Sequence, residues 1–300
     1  MTTDRRTFLT IAAAPVLLAG RVGAMASPGP DDSDLPAPKY HLAMNLELMF
    51  PAGMPYEDRI AAAAKCGAKH FGFWGHQGKN LDAMLKAQEK HGMACDSISG
   101  NPATGWGAGM TLPGKPEADF LADFEAACRV ANRFGATNLI TFTGAIQKGL
   151  APEAQDAQII AALKKAGPIA EHYNVYLTLE PLSKLESPGQ TMGTTTDAYR
   201  YAAGADHPHV KVDFDMYHRQ VGEGNVINTL KLGLDKGYVR FIEVGDVPGR
   251  KEPGSGEMNY RNIFNFLRRY GYAGSIGMEH GTTRTPQYAW DAVRELAGLG

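Results

Sequence analysis

A (β/α)8 barrel is the fold that this 300-residue sequence predicts. Three observations point to it. Short apolar strands alternate with amphipathic helices from residue 39 onward. The alternation runs eight times in about 260 residues, the count and length of such a barrel. Four consecutive strands end in an acid of the same parity, at the end where barrel active sites sit. Alternation on this scale implies parallel strands. A doubly wound open sheet is the alternative arrangement of the same elements.

The elements follow in order. The first strand lies in YHLAMNLELMF (40–50), and the helix YEDRIAAAAKC follows, ended by Gly67. KHFGFWG is the second strand, and its helix NLDAMLKAQEKHG stops at Gly92, a residue suited to the left-handed conformation of a helix end. ACDSIS is the third strand. A long Gly-rich loop, 100–116, carries Trp106 and leads to a helix over 117–134. That loop is too long for a plain connection and reads as a functional lid, or else as a packed surface loop. TNLITFTG is the fourth strand, with a helix from Pro152 to about His172. VYLTLEPL precedes the helix TTTDAYRYAAG, and VKVDFDMY precedes a helix near 225–236. VRFIEVG with NYRNIFNFLRRYG, then GSIGMEH with a helix over 286–298, complete eight units.

Ahead of the barrel, Arg5 and Arg6 stand before the apolar run LTIAAAPVLLAG, and Ala24-Met25-Ala26 supplies a small-residue cleavage pattern. Residues 1–26 therefore read as a twin-arginine-type signal peptide. Such a run is short for a membrane span, which is the alternative. Residues 27–38, SPGPDDSDLPAP, read as a disordered linker, because Pro, Asp and Ser bury little apolar area. The expected location is periplasmic or secreted, with no membrane attachment after signal cleavage. At 44% hydrophobic, 21% charged and net charge −2 over its 300 residues, the chain has ample core and offers no electrostatic case for nucleic acid. Cys66, Cys95 and Cys128 lack metal or disulfide spacing and read as buried free thiols.

Alternate strand residues face opposite sides. Tyr176, Thr178 and Glu180 share the inward parity, as do Asp213 with Asp215, Phe241 with Glu243, and Ser275 with Glu279. Four carboxylates converging on one volume repel, and keep their protons unless a cation sits among them. An all-oxygen donor set suits one hard divalent ion, Mg²⁺ or Mn²⁺. For any single acid, a helix cap or surface pair would explain it as well.

At these residues the chain resembles the hydroxypyruvate isomerases of the xylose isomerase-like barrels. The resemblance rests on GDVPGRKEPGSGEMNYRNIF, LEPLSKLESPGQ with TTTDA, DMYHRQ and GSIGMEH, with looser matches in NLELMF and FWGHQGKNLDAM. It implies a metal held by Glu180, Asp215, Glu243 and Glu279, with Glu180 and Glu279 as proton donor and acceptor. Glu243 departs from the Gln or His usual there. The resemblance further implies substrate contacts from His218 and Arg250, and we add Asn45, Glu47, His76, Trp106 and Glu257. Glu47 stands where relatives carry a small residue, Gly72 where they carry an acid, and His280 where Tyr is common. Glu47 would fill the space Gly72 leaves, or lie deeper and pair with Lys69 or His70.

The expected activity is isomerisation or epimerisation of a small hydroxy-carbonyl compound, hydroxypyruvate- or keto-sugar-like, through an enediolate. A lyase, dehydratase or keto-glycoside-cleaving enzyme would use the same site, and a non-catalytic periplasmic sugar-binding barrel is the rival from another class. A homo-oligomer is left open by the sequence.

Overall fold

The computed structural model describes residues 34–300. The expected signal peptide, and the linker as far as residue 33, lie outside the described residues. At the linker's far end, Arg268 donates to the carbonyls of Pro36 (2.8 Å) and Leu35 (3.1 Å), so the chain is tied down before the first strand.

Eight parallel strands close in sequence order, with β1 (His41–Asn45) pairing both β2 (His70–Gly72) and β8 (Ser275–Met278). Between them run β3 (Ala94–Ser99), β4 (Asn138–Thr141), β5 (Tyr176–Leu179), β6 (Val210–Asp215) and β7 (Val239–Glu243). Every strand but β3 is shorter than its apolar run, because the last residues of those runs leave the ladder and turn into the loops above. The outward parity of Met44, Phe71, Ile98, Leu139, Leu177, Val212, Phe214, Ile242 and Ile276 is buried against the helical layer. That continuous apolar packing is what a parallel sheet covered on both faces requires. The alternation slips at two bulges, between Phe71 and Gly72 against β3 and between Val212 and Asp213 against β7.

The helices are α1 (Tyr56–Lys65), α2 (Leu81–His91), α3 (Lys115–Phe134), α4 (Pro152–His172), α5 (Thr195–Ala205), α6 (Met216–Gly222), α7 (Val226–Asp235), α8 (Tyr260–Tyr270) and α9 (Pro286–Leu296). Asn80, Thr194, Asn259 and Thr285 cap four of them by accepting a backbone N–H. The sequence reading missed α6. It starts because Asp215, at the end of β6, turns its carboxylate back onto the Tyr217 N–H at 2.7 Å. The 100–116 loop packs rather than floats: Asn101 bridges to the Phe142 backbone, and Asp123 accepts from the Ala103 and Thr104 amides. All three cysteines are free, and Cys66 is only half-buried. Among the described residues no helix is long and apolar enough to cross a membrane.

Candidate active site

The C-terminal ends of β5 to β8 bring four acids together. Glu180, Asp215, Glu243 and Glu279 are each at most 3% exposed, and each offers an oxygen within 4.8 Å of the others. Burial, then the neighbouring carboxylates, push the Glu180 and Glu243 carboxyls well above the ordinary range. Burial also raises that of Glu279, against the pull of Arg250. Asp213, one turn of the pleat below, is fully buried and likewise raised, chiefly by burial.

Arg250 is the positive group in this cluster. It reaches over from the loop after β7, where its φ of 51° lies in the left-handed region that side chains rarely adopt. Its Nη2 donates to Asp215 Oδ2 at 3.0 Å and to Glu279 Oε2, and its Nε donates to the Glu279 carbonyl at 3.2 Å. Burial opposes its charge, but Glu279, Asp215 and Glu180 hold its pKa above the usual value. The loop carrying it is folded around Asp246, whose carboxylate accepts from the amides of Val247, Gly254, Gly256 and Met258.

His218, the third residue of α6, stands beside the acids. Its Nδ1 accepts from the Ser183 N–H at 3.3 Å, so Nε2 carries the proton and faces Glu180 and Asp215, each at 3.8 Å. Burial lowers its pKa and favours the neutral ring.

Above the acids opens a cavity of about 550 Å³ whose floor includes Glu180, Glu279, His218 and Arg250. Trp74, Trp106 and Phe142 form its aromatic wall, and Glu47, Lys79 and Glu186 its polar one. Trp74 Nε1 donates to Glu279 Oε1 at 2.8 Å. Trp106 leans on Phe142, with ring centres 5.2 Å apart and planes tilted by 40°, and is 60% exposed at the rim.

The donor set fits a hard divalent cation. It is all carboxylate oxygen, and Glu243 Oε2 is buried with no hydrogen-bond partner. A buried carboxylate oxygen in that state costs free energy unless a cation or proton meets it. His218 would join an alternative set with Glu180 and Asp215 only in the other tautomer, with the proton off Nε2.

The sequence matches the xylose isomerase-like TIM barrels over residues 60–297. The chain belongs to that family. It is 30% identical to the 2-oxo-tetronate isomerase of Haemophilus influenzae over 250 residues, covering 81% of this chain and 93% of that one. It is 27% identical to the hydroxypyruvate isomerase of Escherichia coli, covering 79% and 91%. An AP endonuclease of family 2 from Brucella melitensis shares the fold with a TM-score of 0.76 at 23% identity, covering 84% and 98%. As an enzyme the chain falls with the isomerases of the family.

Not every expected residue reaches the cavity. Asn45 faces the barrel axis but uses its side-chain oxygen to accept from the Glu47 and Leu48 amides, closing the turn after β1. His76 lies off the cavity wall with Nδ1 buried and unpartnered. Glu257 is exposed in a separate depression beside Gln220 and Asn225. Glu47 does line the cavity, but not by either expected route. The space at Gly72 is taken by Ser97, whose Oγ lies 2.3 Å from where a Cβ would stand. Glu47 instead accepts from Tyr56 at 2.5 Å and the Trp74 amide at 3.0 Å, and pairs with Lys79 at 3.2 Å. His70 has its own partner, Asp96. The sequence reading missed Trp74, Lys79 and Glu186. Trp74 shares the parity of Gly72 and was there to be found. Lys79 and Glu186 sit in loops, where no period reveals direction.

Proposed function

We propose that this chain is a divalent-metal-dependent isomerase or epimerase of a small hydroxy-carbonyl compound. The observation that carries the reading is the convergence of Glu180, Asp215, Glu243 and Glu279 beneath an aromatic-walled cavity. These four residues would hold one Mg²⁺ or Mn²⁺, which when bound supplies Lewis acidity toward a carbonyl and its neighbouring hydroxyl. Glu180 and Glu279 both reach the cavity floor, whereas Asp215 and Glu243 are not on its wall. That division suits Glu180 and Glu279 to proton transfer, one removing a proton from carbon and the other returning it to the adjacent carbon. Burial raises both carboxyls above the ordinary carboxylate range, which favours their holding a proton to be passed on. The Nε2–H of His218 would donate to a substrate oxygen.

The cavity also bears on substrate. Its two cations are already engaged, Arg250 with Asp215 and Glu279, and Lys79 with Glu47. A volume of about 550 Å³ exceeds what a three-carbon acid fills. Both features favour a neutral keto-sugar over an anionic 2-oxo acid. The family relatives named above point the other way, toward hydroxypyruvate and 2-oxo-tetronate. The decisive test is solvent deuterium incorporation, with metal analysis of the same preparations. We expect one divalent ion per chain, exchange at carbon with neutral ketoses ahead of 2-oxo acids, and product of unchanged mass. Glu180→Gln and Asp215→Asn should lose metal and exchange while keeping the fold. Full metal occupancy in either variant would refute the ligand set, and release of water or an alcohol would make the enzyme a lyase.

A further inference from the structure

A second cluster of metal-ligating side chains lies at the opposite end of the barrel. His41 opens β1, His70 opens β2, and Asp96 stands in β3 at the bulge. Bulges re-aim side chains out of the strict alternation of a strand. Here the Asp96 carboxylate points between two imidazoles. His41 Nε2 lies 2.7 Å from Asp96 Oδ2, and His70 Nδ1 lies 2.8 Å from Asp96 Oδ1. The two rings stand side by side, centres 3.9 Å apart and tilted by 31°. Two nitrogens and a carboxylate oxygen thus fall within 4.8 Å of one another. The Ser275 hydroxyl, from the start of β8, donates to Asp96 Oδ2 and fixes the carboxylate. The side chains are 43% exposed at His41, 29% at His70 and 10% at Asp96, so the cluster opens to solvent at one side.

We propose that His41, His70 and Asp96 form a second metal site, for a borderline cation such as Zn²⁺, Ni²⁺ or Cu²⁺. Two imidazoles with one carboxylate suit those ions, whereas the all-carboxylate cluster above suits Mg²⁺ or Mn²⁺. Three protein donors with an open side leave room for water in the remaining position. Ligating carboxylates are themselves hydrogen-bonded, as Asp96 is by Ser275. The ion would tie the starts of β1, β2 and β3 together beside the β1–β8 seam that closes the barrel. Its role is therefore stabilisation of the N-terminal face, remote from the reacting atoms.

The test uses the untagged full chain with Mg²⁺ in excess to fill the carboxylate cluster. Titration with Zn²⁺ should give one further equivalent per chain. That equivalent should persist in Glu180→Gln and weaken at least about tenfold in His70→Gln or His41→Gln. Wild-type protein loaded with one equivalent of Cu²⁺ should show the hyperfine pattern of two nitrogens, and this readout needs no variant to fold. The upper cluster offers a single imidazole, His218. Absence of the extra equivalent, its persistence in both histidine variants, or a one-nitrogen Cu²⁺ spectrum would each overturn the proposal. The cluster would then be a hydrogen-bonded tie between strands and nothing more.

Discussion

Asp246→Asn probes what holds the loop after β7 in place. The Asp246 carboxylate is fully buried and accepts from four amides: Val247 (2.9 Å) and Met258 (3.1 Å) on Oδ1, Gly254 (2.8 Å) and Gly256 (2.9 Å) on Oδ2. Asparagine keeps one oxygen. Its amide nitrogen then faces two N–H donors, so both of those bonds are lost. Hydrogen bonds to a charged group contribute about 1.5–3 kcal/mol each. Gly254 and Gly256 are exposed and water can reach them, which places the loss at the low end, about 3 kcal/mol in total. That corresponds to roughly a hundredfold more frequent local opening of the loop. Hydrogen exchange followed by mass spectrometry should report it in the 247–258 segment, with the strands of the barrel unchanged. Arg250 rides on this loop, and its N–H donates to the Asp246 carbonyl at 3.0 Å, so KM should rise as well. Exchange in that segment within about threefold of wild type would refute the reasoning, because the carboxylate would then contribute less than one ordinary hydrogen bond.

Trp74→Phe keeps the aromatic wall but removes the N–H that meets Glu279, and should raise the acidic limb of the pH–rate profile by about one unit, since such a bond is worth about 1.5 kcal/mol; an unmoved limb would separate Trp74 from Glu279 function. Without metal, the native state holds protons on Glu180, Glu243 and Glu279 that the unfolded chain has released above about pH 4.3. Stability in chelator should therefore fall as pH rises above about 4.3, the value for an unfolded-chain glutamate, and added Mg²⁺ or Mn²⁺ should flatten the slope; urea midpoints measure both. Gly72→Ala should lower stability by about 1–3 kcal/mol through the clash with Ser97, and Ser97→Ala should recover most of it in the double variant. Replacing Arg5 and Arg6 with Lys should leave the precursor inside the cell, as fractionation would detect, if the leader is of the twin-arginine type.

The acids at the strand ends were legible in the sequence because strand geometry is local. A period of two fixes the side a residue faces, and the strand's end fixes its height, so Glu180, Asp215, Glu243 and Glu279 needed no long-range information. The eight units were legible for the same reason, since every helix but the short α6 announces itself by its own apolar stripe and flanking turn residues. Parity was enough to turn Glu47 and Asn45 toward the axis, but not to say what each meets. Asn45 is spent on its own turn, and Glu47 is held by Tyr56 and Lys79 from the following loop and helix. The positions of Lys79, Glu186 and Arg250 depend on loop paths, and loops carry no period from which a direction could be read. Asp246 organises one such path through amides that are eight to twelve residues away, an arrangement that exists only after the loop has closed. The pairing of His41, His70 and Asp96 lies furthest from sequence reasoning. It requires the register of three strands and a one-residue bulge, and a slip of one residue would have turned any of the three side chains to the other face.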